Sequence, residues 1–434
     1  MASVATLSGA AKVALATTAA LLGLSAVAQP QWPQWRGPSR DGSVAAPPRG
    51  EDWPSRPVLL WEREVGEGYS GPVVARDRVW VHAREGGQEV VSSLALDSGE
   101  ELWSRRDPVP FEQDPSARRH GRGPYATPSL AGDRLFTLGI TAALSAWDAD
   151  TGALLWRTDY SAEFDPTYTY FGASASPLVW GGLCFVHFGG QKEEALGRPG
   201  EGAMVALSVA EGRERWRWTG DSAGLGASPI VQVIGGQPHL VFKARASIVG
   251  VDPRAGSQLW RIPFPVDMEN TIVTPLFVGD VLVTSDYQKG MHAWRIQRKG
   301  HGWETQELWR HREVSLFTSS PVVAGGQVVG FSEFKRGQLF GLNPRDGRVL
   351  WRGDGRWGDH ASLIAWGNQV LVFREDGSLV VGDISLGRFR RLRSYDLGGQ
   401  LMWGHPAVVD DRIIIKDGKR LAVYRIGPSE STDR

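Results

Sequence analysis

The segment Ala146-Trp147-Asp148-Ala149-Asp150-Thr151-Gly152-Ala153-Leu154-Leu155-Trp156 decides the fold, because its features return along most of the 434-residue chain. Its glycine tolerates the left-handed backbone of a tight turn, and the aspartates before it can bond the amides of that turn. The closing tryptophan offers a large flat surface that a neighbouring unit can cover. The segment therefore predicts two strands joined by a turn, with a tryptophan that packs between units.

The spacing from glycine to tryptophan recurs at Gly99/Trp103, Gly212/Trp216, Gly256/Trp260 and Gly347/Trp351, and Leu308-Trp309 repeats the ending after a longer loop. A second element alternates with the first: Ser or Thr before Pro, at Thr127-Pro128, Ser176-Pro177, Ser228-Pro229, Thr274-Pro275 and Ser320-Pro321. Looser copies of this element stand at Gly71-Pro72, Ser362-Leu363 and His405-Pro406. Such regular internal repetition is typical of solenoids, propellers and arrays.

Short stretches of alternating apolar residues, such as Leu135-Phe136-Thr137-Leu138, lie between the two elements and are typical of strands. Each unit then holds about four strands, and radial stacking of four-stranded sheets makes a β-propeller. The copies of the second element count eight units. We therefore predict an all-β, eight-bladed β-propeller. Seven blades is the alternative, because the seventh unit has Leu392-Arg393 where Leu-Trp is expected.

The eighth unit stops after Leu421 to Ile426 and lacks an outer strand. Val58 to Arg63, which precedes the first unit, has the composition of the missing strand. An N-terminal strand that completes the last blade would close the ring and remove two exposed edges. We therefore predict closure of the propeller by this strand.

The N-terminus has the layout of a secretory signal peptide. Lys12 precedes an apolar run from Val13 to Leu24, and the small residues Ala26-Val27-Ala28 supply a cleavage site before Gln29. The run is short of the roughly 20 residues that a spanning helix needs. No Cys near the cut could accept a lipid anchor. We expect an exported protein of the periplasm or the extracellular space, released by cleavage near Ala28.

The chain is thus divided into a signal peptide (1–28), an N-terminal leader (29–56), the propeller (57–426) and a flexible tail (427–434). The 48 basic and 48 acidic residues balance, which argues against nucleic acid or an anionic membrane as the main partner. The single cysteine, Cys184, excludes an intramolecular disulfide framework. We expect a monomer that does not span a membrane.

The full string from Ala146 to Trp156 resembles the tryptophan-docking motif of pyrroloquinoline-quinone (PQQ)-type repeats. That family includes the quinoprotein alcohol dehydrogenases and the propeller subunit of the outer-membrane β-barrel assembly machinery. The resemblance covers roughly residues 57–426. The leader from Trp32 to Gly42 is similar to the segment that opens many exported PQQ-like repeat proteins of uncharacterised role. A shared fold does not by itself carry function.

The resemblance to the dehydrogenases implies PQQ on the propeller axis over a calcium ion, an Asp base and, in many members, a pair of adjacent cysteines. This chain has one Cys, and calcium needs six or more oxygen ligands. Glu269-Asn270 is the one candidate for such ligands near the start of an inner strand. The nine His show no zinc-ligand spacing. We therefore expect no catalytic residues, no metal and no cofactor, with a PQQ-dependent dehydrogenase as the alternative.

One position of the repeat varies where a structural position would be uniform. It is the residue three before each proline equivalent, in the loop that enters the innermost strand: Tyr69, Tyr125, Ser174, Gly226, Ile272, Thr318, His360 and Trp403. Nearby loops add Arg118, Arg119, His120, Arg122, Tyr168, Tyr170, Phe171, Arg356 and Trp357. Aromatic rings with arginine are favoured at protein contact surfaces.

We take Tyr69, Tyr125, His360, Trp403, Arg122 and Trp357 as candidates for binding a protein or peptide at the axial face. The repeat tryptophans are predicted to be structural: Trp61, Trp103, Trp156, Trp216, Trp260, Trp309 and Trp351. The function that follows is an exported, non-catalytic scaffold, with envelope assembly as one role. A second alternative is that the rings bind a polysaccharide. A third is that the aromatic rings only fill the narrow axial channel and bind no ligand.

Overall fold

The computed structural model describes residues 31–44, 52–164, 171–189, 202–224, 226–266, 271–399 and 401–426. These residues form eight antiparallel sheets of four strands each, which confirms the all-β, eight-bladed propeller. The signal peptide, the tail and Glu269-Asn270 lie outside the described residues. No helix in the described ranges is both long and apolar enough to cross a membrane.

The first strand is β1 (Val58–Glu64). Blade 1 contains β2 (Val73–Ala75), β3 (Arg78–Glu85), β4 (Gln88–Ala95) and β5 (Glu101–Pro108), and a short 3-10 helix (Pro115–His120) follows it. Blade 2 contains β6 (Ser129–Ala131), β7 (Arg134–Leu138), β8 (Ala143–Asp148) and β9 (Leu154–Asp159). Blade 3 contains β10 (Leu178–Trp180), β11 (Leu183–Phe188), β12 (Ala203–Ser208) and β13 (Glu214–Thr219).

Blade 4 contains β14 (Ile230–Ile234), β15 (Gln237–Lys243), β16 (Ser247–Val251) and β17 (Gln258–Pro263). Blade 5 contains β18 (Leu276–Val278), β19 (Val281–Asp286), β20 (Gly290–Lys299) and β21 (Gly302–His311). Blade 6 contains β22 (Val322–Ala324), β23 (Gln327–Ser332), β24 (Gln338–Leu342) and β25 (Val349–Arg352). Blade 7 contains β26 (Ala361–Trp366), β27 (Gln369–Arg374), β28 (Ser378–Asp383) and β29 (Arg390–Asp396). Blade 8 contains β30 (Ala407–Val409), β31 (Arg412–Lys416), β32 (Arg420–Arg425) and β1.

The ring closes as the sequence predicts. Strand β1 pairs antiparallel with β32, with Glu62 opposite Ala422, so it supplies the outer strand of blade 8. The alternative of seven blades is wrong, because the seventh unit forms all four strands. Its missing tryptophan is replaced by Phe389, whose ring covers Gly382 in β28. The closure covers the edge of β32, which would otherwise be the exposed edge of a three-stranded blade.

Five repeat tryptophans dock on the turn glycine of the next blade: Trp61 on Gly99, Trp103 on Gly152, Trp156 on Gly212, Trp216 on Gly256 and Trp309 on Gly347. A Cβ atom at any of these glycines would lie 2.5–2.6 Å from the ring. Each of these indole N–H groups donates to a carbonyl of the next blade, as Trp103 does to Ala149 at 3.1 Å. The glycine therefore serves both the turn and the contact between blades.

Trp260 and Trp351 are buried, but they cover glycines of their own sheets, Gly250 and Gly341. Their indole N–H groups also stay within the blade, because Trp260 donates to the His239 imidazole at 2.8 Å and Trp351 to a side-chain oxygen at 2.8 Å. Both rings belong to apolar clusters that include residues of the next blade, so they lie between blades without docking on a turn glycine there.

The Ser/Thr of the second element links the innermost strands of blades 1 to 6. The hydroxyl of each accepts a hydrogen bond from a backbone N–H of the preceding blade: Gly71 to Thr127, Thr127 to Ser176, Ser176 to Ser228, Ser228 to Thr274 and Thr274 to Ser320, at 2.9–3.3 Å. These bonds hold the inner strands around the propeller axis. The residues that stand three positions before each proline equivalent lie together at one end of that axis. We call this end the mouth.

The leader packs along the axis against the inner strands. Trp32 forms an antiparallel bridge with Val74 in β2 of blade 1. Hydrogen bonds and ring contacts join residues 32–44 to seven of the eight blades, through Val74, Leu130, Pro177, Thr274, Pro321, Ala365 and His405. The sequence shows no pattern from which this position could be predicted, because the leader is not part of the repeat.

Candidate functional site

The variable position of the repeat lies at the mouth in every blade. Seven of its residues are half-buried, namely Tyr69, Tyr125, Ser174, Gly226, Ile272, Thr318 and Trp403. His360, the eighth, is only 7% exposed. The variation in sequence therefore coincides with partial access to solvent at one end of the axis.

Four of the predicted site residues form a continuous chain of rings. Tyr69 stacks on Tyr125 with centroids 5.9 Å apart and lies 6.1 Å from Trp403. Trp403 in turn stacks on His360 at 4.7 Å with an angle of 9° between the ring planes. These contacts bring together residues from blades 1, 2, 7 and 8, which only ring closure can make neighbours.

Two rings from longer loops complete this group. His120 lies 5.0 Å from Trp403 and 5.4 Å from Phe171, and Phe171 lies 5.8 Å from Tyr125. We call the six residues Tyr69, His120, Tyr125, Phe171, His360 and Trp403 the mouth cluster. Five of its members are half-buried, so ring faces or edges are available to a ligand.

Burial holds the hydroxyls of Tyr69 and Tyr125 and the imidazole of His360 in their neutral forms. Burial raises the pKa of the Tyr69 and Tyr125 hydroxyls above their usual value. Burial also lowers the pKa of His360 to about 4, and its Nδ1 lies 3.1 Å from the Thr318 hydroxyl. His360 is therefore buried against the ring of Trp403, whereas we expected it to contact solvent.

A groove of about 880 Å³ runs beside the mouth cluster. Its lining comes from four places, the entry to blade 1, the loop after blade 1, the loop before blade 8 and the β31–β32 turn. It includes Glu67, Tyr69, Phe111, Glu112, Arg118, His120, Arg122, Leu401, Asp417 and Lys419. Leu401 has a φ of 59°, which is uncommon for a residue with a Cβ. Its side chain is 47% exposed at the rim. Backbone strain of this kind is enriched at functional sites.

The charges of the groove are unevenly paired. Lys419 lies 3.6 Å from Glu67, and Arg420 lies 3.0 Å from Asp417, so two acids are neutralised within blade 8 and its neighbour. Arg118 and Arg122 are exposed and make no ion pair within the ranges that the structure describes. The predicted site residue Arg122 is thus a free cation next to the aromatic rings.

Trp357, the remaining predicted site residue, lies elsewhere. It is 9% exposed in the core between blades 6 and 7, where it contacts Phe389. The guanidinium groups of Arg374 and Arg391 lie over its ring at 5.7 and 5.6 Å. The structure does not bring Trp357 to the mouth cluster, although Trp357 stands only three residues before His360 in the sequence.

The candidate calcium ligands Glu269-Asn270 lie outside the described residues, so a PQQ–calcium site is not assigned among the described ones. Within the described ranges, no group of three His, Cys, Asp or Glu residues is placed to hold a metal ion. Cys184 is fully buried in the sheet of blade 3. We therefore assign no reaction step to such a group.

Comparison with known proteins places this geometry in context. Residues 87–353 match the protein family described as outer membrane protein assembly factor BamB. Among curated relatives, a polyvinylalcohol dehydrogenase of a Pseudomonas species is 23% identical over 60% of this chain and 50% of its own length. BamB of Burkholderia pseudomallei is 25% identical over 66% of each chain. The chain therefore spans between half and just under two thirds of the length of these relatives.

Solved structures share the fold at low identity. The crystal structure of BamB from Moraxella catarrhalis has a TM-score of 0.62 and 15% identity, covering 86% of this chain and 98% of that one. The quinohemoprotein alcohol dehydrogenase from Comamonas testosteroni has a TM-score of 0.66 and 14% identity, covering 92% of this chain and 81% of that one. At such identity the likeness concerns the fold alone.

Proposed function

This chain belongs to the outer membrane protein assembly factor BamB family of PQQ-like repeat propellers, and from that premise we propose that it is a non-catalytic scaffold of the cell envelope. It is exported by its N-terminal signal segment and binds a protein or peptide partner at the mouth cluster and the adjoining groove. The observation that carries the proposal is the continuous group of half-buried rings beside the unpaired cations Arg118 and Arg122.

The physical case rests on the composition of binding surfaces. Tyr, Trp and Arg are enriched among residues that dominate affinity, because they combine large apolar area with directed hydrogen bonds. Tyr69 and Trp403 offer such area, and Arg122 adds a charge that a partner carboxylate can meet. The groove volume of about 880 Å³ suits a few side chains of an inserted segment better than a single flat contact.

Site-specific photo-crosslinking in the native envelope tests this proposal. A crosslinking residue at Leu401, at the groove rim, should capture a discrete partner, whereas the same residue at Leu386 should not. Leu386 is the matched control, since it is 67% exposed in the β28–β29 loop of blade 7. Capture at Leu401 should fall when Tyr69 and Trp403 are replaced by Ala. Equal capture at both positions, or no effect of the replacements, would refute the mouth as the binding surface.

A PQQ-dependent dehydrogenase is the competing function, and the name of the polyvinylalcohol dehydrogenase relative is what favours it. An absorption spectrum of the purified chain, recorded before and after adding PQQ and calcium, separates the two. Saturable binding of PQQ with turnover of an alcohol would replace the scaffold proposal. No comparison favours polysaccharide binding over a protein partner.

A further inference from the structure

The leader carries two arginines whose guanidinium groups are buried at the propeller axis. Arg36 is 1% exposed and Arg40 is 2% exposed. Arg36 donates to the backbone carbonyls of Asp41 and Pro321, and Arg40 donates to those of Ser176 and Pro177 at 3.1 and 3.0 Å. The two side chains thus meet inner strands on opposite parts of the ring, blades 6 and 3.

These hydrogen bonds do not use all the N–H donors of the two guanidinium groups. The Nε and Nη1 atoms of Arg36 and the Nε atom of Arg40 are buried and have no hydrogen-bond partner among the described residues. The Nε2 atom of His405, whose ring contacts Trp32 and Trp35, is also buried and without a partner there. Buried polar groups in native proteins are almost always satisfied, so these donors call for a partner that is not among the described residues.

The positive charges of Arg36 and Arg40 are also not fully balanced by negative charges among the described residues. Among the described residues, Asp41 is the one carboxylate that acts electrostatically on either arginine, and its Oδ1 atom accepts hydrogen bonds from the amide and hydroxyl of Ser43. Burial lowers the pKa of Arg36 to about 10 and that of Arg40 to about 9, and the nearby Arg36 cation contributes to the lowered pKa of Arg40. Both remain charged at neutral pH. Water could meet the N–H groups but would leave two buried cations against one acid, which is energetically costly.

We propose that the propeller axis binds a small inorganic anion at the guanidinium groups of Arg36 and Arg40. The guanidinium edge matches the geometry of an oxyanion, and its several N–H donors also suit a halide. A bound anion would satisfy the free donors, neutralise the excess charge and fix the leader against the inner strands. None of the residues argued for this site belongs to the mouth cluster.

Thermal melting at constant ionic strength tests the site, with gluconate as the bulky reference anion and chloride, sulfate or phosphate as the probe. A specific anion should raise the Tm with the logarithmic concentration dependence of ligand binding, on the order of 5 °C at 100 times its dissociation constant. Comparing the three probes distinguishes a halide site from an oxyanion site. The general stabilising effect of sulfate is linear in concentration and does not depend on the site.

Arg40→Met should abolish the specific rise, and Arg312→Met, at an exposed arginine, should retain it. The same rise in both variants, or none in the wild type, would overturn the proposal. If Arg40→Met fails to fold, crystals of the wild type soaked in bromide decide the question. An anomalous peak beside Arg36 and Arg40 supports the anion, and ordered water alone at that point refutes it.

Discussion

The indole Nε1 of Trp61 donates a hydrogen bond to the backbone carbonyl oxygen of Leu96 at 2.7 Å. Trp61 belongs to β1, the N-terminal strand of blade 8, and Leu96 follows β4 of blade 1. The same type of contact joins four other pairs of successive blades. The chain ends are therefore closed by the same interaction that joins the blades within the ring.

Gly99, on which the Trp61 ring lies, should be intolerant of a side chain. Gly99→Ala forces a left-handed backbone onto Ala, for about 1–2 kcal/mol, and drives a methyl group to 2.6 Å from the ring, for about another 1–3 kcal/mol. Gly86→Ala is the matched control, since Gly86 has a φ of 59° and open space around it. Chemical denaturation should show Gly99→Ala clearly less stable than Gly86→Ala. Equal losses would mean that the docking contact contributes nothing.

Deleting the β1 strand should unfold blade 8, because Val58–Glu64 is its outer strand and carries Trp61. From sequence alone, removing residues 29–50 should be milder, since only the leader is lost. The structure changes this expectation, because Trp32, Arg36 and Arg40 are buried at the axis. We now expect both deletions to lower the Tm of the chain. A leader deletion that melts with the wild type would show that the axial contacts are dispensable.

The structural and mouth aromatic residues should respond differently to truncation. Trp103 is 7% exposed between blades 1 and 2, so Trp103→Ala should cost about 3–5 kcal/mol of unfolding free energy. Tyr69→Ala and Trp403→Ala, at half-buried positions, should cost about 1 kcal/mol and weaken capture of the partner. Melting curves and the crosslinking assay measure the two effects. If the mouth variants melt at as low a temperature as Trp103→Ala, the mouth rings serve to fill the channel and not to bind a partner.

Lys416 should make the stability of the chain depend on pH. Burial lowers its pKa from 10.5 to about 7 in the folded state. Between these values the unfolded chain binds a proton that the folded chain does not, so stability rises with pH, by up to about 1.4 kcal/mol per unit. Lys416→Met should flatten the profile between pH 7 and 10. Lys419→Met, at an exposed lysine of the same turn, should leave it unchanged, and identical profiles for the two variants would contradict the role of Lys416.

The blade number, the ring closure and most inter-blade tryptophans follow from the sequence by itself. A turn glycine and a tryptophan at a constant spacing specify a local unit, and local units of one kind stack in one way. The four rings Tyr69, Tyr125, His360 and Trp403 could be chosen for the same reason, because equivalent repeat positions share one end of the axis. Their mutual contacts follow from the closed ring.

The tertiary structure alone decided what lies outside the repeat. Trp260 turns back onto Gly250 and not onto the next blade, and Trp357 enters the core between blades 6 and 7, although neither differs in its local sequence pattern from residues that behave as expected. Arg36 and Arg40 reach carbonyls more than 130 positions away, with Arg40 bonded to Pro177 across 137 residues and Arg36 to Pro321 across 285. Periodicity carries no information about such contacts, because they depend on which surface the closed ring leaves open to a segment that has no repeat of its own.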